Sequence, residues 1–274
     1  MVSSVLLHFG NVRHDEPIIR TGVELARRAP ARIRGLTLVD TRRLSALSST
    51  CEAAAYSAGE ATRLDRLEAD QDQVRHRLTQ ACLTAGIDFD VRRMRGNPLE
   101  VLPSESQFHD LVVTAVPPPD AADAVFGLSA ADVIDLLFRG VQPMLVLRGA
   151  EAPLARVLLI GDGSPAAARA MRQFLQQRLL PNAELRLLAV GSTERNARAS
   201  LAEMVDYCRG LRLTFESGWI CGNPRRVVAP YALKWGASLV VTGAQREGRV
   251  ARKLLGDTVE ELLTKTSLSV YTTG

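Results

Sequence analysis

Short apolar runs alternate along the chain with segments in which apolar residues recur every three to four positions. This alternation predicts β-strands joined by amphipathic helices, as in a parallel sheet that is covered on both faces. In the later part of the chain, the predicted strands are 155–160, 184–190, 211–216, 238–242 and 268–272. The helix after the first of these strands should pack one apolar stripe on the sheet, formed by Ala167, Ala170, Met171, Phe174 and Leu175.

The chain also repeats itself. The sequence VLL near the start returns later in the chain, GNPLEV returns as GNPRRV, and LVVT occurs twice, all in the same order. The two GNP turns are 126 residues apart, and the same spacing relates Val133, Leu136, Leu137 and Arg139 to Val259, Leu262, Leu263 and Lys265. We therefore predict two halves with one fold, residues 1–150 and 151–274, with the boundary in the sequence GAEAP.

The first half carries a longer segment after its second strand. Residues 41–62 are rich in Ser and Ala and show no clear period. This segment is predicted to be a partly ordered surface loop.

Composition is that of an ordinary globular protein, with 46% hydrophobic and 23% charged residues. The start of the chain does not look like a secretory leader, and no run approaches the roughly 18 apolar residues of a membrane span. We therefore expect a cytoplasmic protein without membrane contact. Cys51, Cys82, Cys208 and Cys221 are far apart in sequence, which favours idle thiols over a disulfide framework or a metal site.

Charge differs between the halves. The net charge is −2 over residues 1–150 and +6 over residues 151–274. Arginine supplies nearly all of the positive charge, and no aromatic residues interleave with a basic stripe. We therefore expect no nucleic-acid binding.

The strand and helix order, the GNP turn before the third helix and a glycine-spaced loop after the fourth strand together resemble the universal stress protein family, here as a tandem pair. The resemblance implies an α/β fold with two Rossmann-like domains of the adenine nucleotide alpha hydrolase-like type. Each would have a five-stranded parallel sheet of order 3-2-1-4-5 with helices on both faces. Because family members commonly dimerise through their last strands, MLVL near Met144 is implied to pair with LSVY near Leu268 within the chain. A homodimer and an unknown protein partner stay open.

In nucleotide-binding relatives, a G-x2-G-x9-G-[ST] loop holds the phosphates, and an aspartate at the end of the first strand helps to place base and ribose. The sequence GAQREGRVARKLLGDT matches this loop in part, with Gly243 and Gly256 at the first and third glycine positions. Asp162 matches the aspartate. Arg246 stands at the second glycine position and Asp257 at the hydroxyl position. A β-branched residue at Gly243 should abolish binding, since φ is expected to be positive there.

Asp257 and Glu260 form a D-x-x-E capping pattern, in which the carboxylate accepts the N–H groups that a phosphate would use. A carboxylate about 4 Å from a phosphate costs on the order of 4 kcal/mol at an effective dielectric of about 20, against about 1 kcal/mol for a cap. The basic residues of the loop, Arg246, Arg249, Arg252 and Lys253, would offset this repulsion, unless they form an ordinary solvated run.

The ligand implied for the second half is ATP or AMP, with Mg²⁺ accompanying ATP. The implied contact residues are Asp162, Gly163, Ser164, Val190, Gly243, Arg246, Gly256, Asp257 and Thr258.

The first half departs further from the nucleotide-binding pattern. Gly10 replaces the aspartate, and Ala115 and Ala130 replace the first and third glycines. Three consecutive prolines, 117–119, have no N–H to donate. We expect no nucleotide there, and a structural role with a cavity that accepts something apolar or nothing.

Other functions are less well supported by the sequence. GDGSPA fits a dinucleotide fingerprint, but the following strand ends near Val190 rather than in an acidic residue. His8, His14, His76 and His109 have no recognisable nucleophile elbow nearby, and His8 and His109 are expected to be packed or edge residues. We expect no catalytic residue, no metal site, and at most slow incidental ATP hydrolysis. The alternative class is an interaction or scaffold protein that keeps the fold and has lost ATP binding.

Overall fold

The structure is a computed structural model of the chain. It describes residues 2–10, 15–42, 53–117, 127–141, 143–148, 153–244 and 257–274. Within these ranges, the side chains of 53–68 and of 257 are not described.

Strands and helices alternate through the described residues. The strands are β1 (Ser4–Phe9), β2 (Arg32–Asp40), β3 (Phe89–Gly96), β4 (Leu111–Ala115), β5 (Met144–Leu147), β6 (Arg156–Gly161), β7 (Glu184–Gly191), β8 (Glu216–Cys221), β9 (Leu239–Gly243) and β10 (Ser269–Thr273). The helices are α1 (Asp15–Arg28), α2 (Ala53–Ala85), α3 (Pro98–Glu105), α4 (Ala130–Phe138), α5 (Pro165–Gln177), α6 (Glu194–Gly210), α7 (Pro224–Trp235) and α8 (Asp257–Lys265).

All of these strands form one sheet, in the order β3-β2-β1-β4-β5-β10-β9-β6-β7-β8. Within each half the strand pairs are parallel and follow the order 3-2-1-4-5. The predicted fold class is therefore confirmed. The halves meet at β5 and β10, which run antiparallel, with Leu145 opposite Tyr271.

Helices cover both faces of the sheet, as the apolar strands require. One core lies under α1, α2, α5 and α6, and the other lies under α3, α4, α7 and α8. The predicted stripe of α5 is buried except for Leu175, which is half-buried. At the centre of the sheet, the Phe174 ring packs edge-on against Tyr271, with the ring centroids 5.2 Å apart. The stripe therefore packs α5 against β10, the strand of the second half that pairs with the first half.

One predicted strand of the second half is wrong. The strand predicted at 211–216 lies at Glu216–Cys221, because α6 continues to Gly210 and is followed by a turn. In this turn, Arg212 has a φ of 56° and the Leu213 amide donates to the Cys208 carbonyl at 3.2 Å. Its apolar residues pack against the core from the turn rather than from a strand. The other four predicted strands agree with the structure to within one residue at each end.

The loop predicted at 41–62 is also wrong in part. The helix α2 begins at Ala53, so the last ten residues of that segment are helical. Alanine has the highest intrinsic helix propensity, and the sequence AAAYSAGEAT is rich in it. Residues 43–52 lie outside the described part of the chain.

Across the described ranges, the structure contains no helix that is both long enough and apolar enough to span a membrane.

Candidate functional site

Three strands of the second half end at the same edge of the sheet, here called the carboxyl edge of that half. Asp162 follows β6, Val190 lies at the end of β7, and Gly243 ends β9. The helix α8 follows β9 and begins at the same edge with Asp257 and Thr258. The structure therefore brings these predicted contact residues to one edge, together with Gly163 and Ser164. Two further predicted contacts and the other basic loop residues lie outside the described residues, namely Arg246, Gly256, Arg249, Arg252 and Lys253.

Asp162 is held in a tight turn before α5. One carboxylate oxygen of Asp162 accepts the Ser164 backbone N–H at 2.9 Å, and Gly163 between them has a φ of 79°. The Ser164 hydroxyl oxygen in turn accepts the Ala167 N–H at 3.1 Å and caps α5. The turn thus fixes an exposed carboxylate at the carboxyl edge, where an O–H donor of a ligand can reach it.

Gly243 ends β9 directly against the first turn of α5. A Cβ atom at this position would lie 2.2 Å from the Ala166 carbonyl carbon and 2.4 Å from the Ala167 nitrogen, which is too close for any side chain. The expected reason for this glycine is wrong, since its φ angle is not positive. Close approach of two backbone segments is what requires glycine here.

In the described residues, the carboxyl edge of the first half carries an internal cluster of ion pairs. Three side chains form a cluster, here called the arginine cluster: Asp40 at the end of β2, Arg42, and Asp132 in the first turn of α4. The Arg42 guanidinium donates to both Asp40 oxygens, with Nη2 to Oδ2 at 2.7 Å, and its Nη1 donates to Asp132 Oδ1 at 2.7 Å. One cation therefore spans the edge from a strand end to a helix start, the span that a bound anion would occupy.

The first turn of α4 is also satisfied internally. Ser129 and Asp132 form a reciprocal capping box, in which the Ser129 hydroxyl oxygen accepts the Asp132 N–H at 3.1 Å and Asp132 Oδ2 accepts the Ser129 N–H at 2.9 Å. Burial raises the pKa of Asp132, but hydrogen bonds from Arg42 and Ser129 outweigh it and hold the pKa below its ordinary value. A carboxylate that stays ionised at a helix start repels a phosphate.

Two further ionisable groups of the first half are buried. His8 hydrogen-bonds through Nδ1 to the Thr114 hydroxyl at 2.9 Å, and burial lowers its pKa to about 4, against a smaller opposing effect of Asp40. Burial raises the pKa of Asp15 to about 8. The expectation that His8 is a packed residue is confirmed. His109 is half-buried and bonds to the Ser4 hydroxyl at 2.6 Å, as expected of an edge residue.

Arg148 joins the two halves and was not identified from the sequence. The residue is 8% exposed, and its guanidinium donates to the Thr266 carbonyl after α8, with Nε and Nη2 at 3.1 and 2.9 Å. Its Nη1 donates to the carbonyls of Val116 and Pro117 at 3.1 and 2.7 Å. Pro117 belongs to the proline run of the first half, whose other two members lie outside the described residues. The prolines of this run have no N–H to donate, but the carbonyl of Pro117 accepts a hydrogen bond from Arg148.

The sequence held a signal for part of the arginine cluster. The pattern S-x-x-D from Ser129 to Asp132 is a capping box that can be read directly. The contact of Arg42 with Asp132 joins residues 90 positions apart, so no local pattern indicates it. Among the residues that the structure describes, no group of three or more His, Cys, Asp and Glu side chains is placed to hold a metal ion.

Replacement of Arg42 by Met should lower the free energy of unfolding by roughly 1–3 kcal/mol, since two carboxylates of the first half would lose their shared cation. Urea unfolding followed by circular dichroism measures the change. Arg75→Met is the matched control, because the Arg75 ion pair with Asp72 lies on the exposed face of α2. The free energy of unfolding of this control should fall by less than about 0.5 kcal/mol. Equal losses in both variants would contradict the importance of the arginine cluster.

Comparisons with known proteins agree with this architecture. No protein-family model matches the sequence. A curated relative, a universal stress protein of Synechocystis sp., is 26% identical over 135 residues, which are 48% of this chain and 46% of the relative. The match therefore spans less than half of the length of that relative.

Solved structures match nearly the whole chain. A universal stress protein from Archaeoglobus fulgidus superposes with a TM-score of 0.67 and 16% identity, over 98% of this chain and 97% of that one. A putative universal stress protein from Pseudomonas aeruginosa gives a TM-score of 0.64 and 13% identity, over 99% and 93% of the two chains. The predicted resemblance to the universal stress protein family is thus confirmed, and its fold is shared along the chain.

Proposed function

We propose that this chain, which has the fold of universal stress proteins and resembles them in sequence, binds an adenine nucleotide as a regulatory ligand in its second half only. The observation that carries this proposal is the difference between the two carboxyl edges. The first is closed by the arginine cluster, whereas the second keeps a glycine pressed on α5, an exposed aspartate and a helix start.

The described residues of the second half fit such a ligand. Backbone N–H groups at a helix start bind phosphate oxygens, and they lie at the carboxyl edge where α8 begins. The Asp162 carboxylate accepts hydrogen bonds from ribose hydroxyls, and Val190 offers a buried apolar contact close to the edge. The net charge of +6 on this half favours an anionic ligand.

The role that we propose is regulatory rather than catalytic. Asp162 accepts the Ser164 N–H within its own turn, so this carboxylate serves as a fixed hydrogen-bond acceptor. A general base needs a positioned proton acceptor with a pKa near the working pH. Bound ATP would bring Mg²⁺ with its phosphates, and the described residues would hold the ribose and the phosphate end.

Calorimetry with ATP and magnesium tests the proposal. Binding of about one nucleotide per chain at sub-millimolar concentration supports it. The arginine cluster should leave the first half empty, so Arg42→Met should not change this affinity. No heat in the same range would favour the alternative, an interaction protein that keeps the fold without the nucleotide. The position of Asp257 at the start of α8 is the observation that favours this alternative.

Asp257→Ser should tighten ATP binding by about tenfold, because it removes a negative charge from the helix start and replaces it with a residue type that is also favoured at helix starts. The thermal midpoint should change little. Asp135→Ser on α4 is the control, since it removes a similar charge from a helix of the first half and should leave the affinity unchanged. Weaker ATP binding by the Asp257 variant would remove this electrostatic argument.

A further inference from the structure

The helices of one face of the sheet form a row, α3, α4, α8 and α7, in which each contacts the next. The 126-residue spacing of the repeat makes the pair α3 and α4 equivalent to the pair α7 and α8. The surfaces of the two pairs differ in shape and in charge. These differences make them complementary to one another.

In the second half, α7 and α8 enclose a groove of about 600 Å³, here called the α7–α8 groove. Its lining includes Arg225, Arg226 and Lys265, and Leu233 lies along it with 52% of its surface exposed. Lys265 forms an ion pair with Glu261 on its own helix at 2.9 Å, so it does not reach across to α7. The groove stays open and basic.

In the first half, the equivalent space between α3 and α4 is closed. Arg139, the equivalent of Lys265, donates to the Leu99 carbonyl at 3.2 Å and so ties α4 to α3. Glu100 takes the place of Arg226, which reverses the charge at this position. After α3, Phe108 stands out from the surface with 90% exposure. This pair of helices therefore presents the Glu100 carboxylate and the protruding Phe108 ring.

We propose that two molecules of this chain associate through these faces, so that α3 of each molecule lies on the α7–α8 groove of the other. A twofold axis parallel to the strands produces this arrangement twice, once on each side of the axis. The halves run antiparallel, so α3 begins at the edge of the sheet where α7 ends. In the dimer, the Phe108 ring of each molecule therefore faces the α7–α8 groove of the other, and each Glu100 carboxylate faces a basic side chain.

The register follows from the same geometry. Phe108, after the end of α3, lies over the first turn of α7, where Arg225 and Arg226 can cover the ring as cation–π partners. Glu100, in the first turn of α3, lies over the last turn of α7 near Lys234. Exposed aromatic and arginine residues of this kind carry most of the energy of protein interfaces.

Sedimentation equilibrium of the full chain between about 1 and 100 μM tests the proposal and should show a reversible dimer. Phe108→Ser should raise the dimer dissociation constant by at least about tenfold. Leu83→Ser is the matched control, because Leu83 is a 63% exposed apolar residue on α2, on the opposite face of the sheet. This control should dimerise like the parent, and both variants should keep the parent thermal midpoint.

A charge exchange tests the register. Glu100→Lys and Lys234→Glu should each weaken the dimer, and the variant with both changes should dimerise to within about threefold of the parent, because the pair is restored with opposite signs. A chain that stays monomeric up to about 100 μM overturns the proposal. That result would favour an acidic segment of another protein as the occupant of the α7–α8 groove. A dimer that Phe108→Ser does not weaken overturns it as well.

Discussion

Replacement of Arg148 by Met is expected to lower the free energy of unfolding by about 3–5 kcal/mol. The guanidinium is buried and donates to three carbonyl oxygens, those of Val116, Pro117 and Thr266. Methionine has a similar length and no donor, so these oxygens would lose charge-assisted hydrogen bonds in a site with little access to water. The Thr266 carbonyl lies just after the end of α8, where the helix dipole adds to the attraction for a cation.

Urea unfolding measures the loss. Arg169→Met is the matched control, because Arg169 also donates to a backbone carbonyl, that of Gly274, but on the exposed surface. The control should lose less than about 1 kcal/mol. Since Arg148 holds carbonyls of both halves, its loss should also lower the cooperativity between them, which appears as a broader transition. Similar losses in the two variants would show that Arg148 is not a buried link between the halves.

Gly243→Val should abolish nucleotide binding and lower the free energy of unfolding by about 3 kcal/mol. The first atom of any side chain would lie within 2.4 Å of both the carbonyl group of Ala166 and the nitrogen of Ala167. These are backbone atoms in the first turn of α5, so they cannot move aside as a flexible side chain would. Either the end of β9 or the start of α5 must shift, and both lie at the proposed site.

Calorimetry with ATP and the thermal midpoint together measure this effect. Ala115→Val is the control, since Ala115 ends β4 as Gly243 ends β9 and already carries a Cβ atom. It should bind ATP like the parent and lose less than about 1 kcal/mol of stability. A folded Gly243→Val protein that keeps the parent affinity for ATP would place the ligand elsewhere.

The apolar runs predicted a parallel sheet, because parallel strands buried on both faces leave a strong signal in a single sequence. The strand order was implied by the resemblance to universal stress proteins. The apolar runs failed at β8, where apolar residues of a turn looked like a strand, and at the start of α2, where the helical signal is alanine content rather than period. In both segments, the apolar residues do not show the regular spacing that packing of one face on a core produces. Periodicity therefore gives no signal there.

The candidate site was predictable only where a local pattern carries it. The turn of Asp162 and the glycine at 243 follow from short motifs, although the physical reason for the glycine needed coordinates. The contacts of Arg42 and Arg148 join residues that are 90 and 118 positions apart, and an arginine side chain fits many partners. Sequence indicates that such a residue is charged, while only the fold selects the carboxylate or carbonyl it reaches.

The antiparallel ladder between β5 and β10 has an evolutionary consequence. When two units are covalently fused, each stays beside its neighbour at a high effective concentration, however weak the contact between them becomes. Selection for affinity is then relaxed in one unit, which is free to exchange ligand chemistry for internal salt bridges without dissociating. Fusion of the two units therefore allows one half to give up ligand binding and to keep a structural role beside the other half.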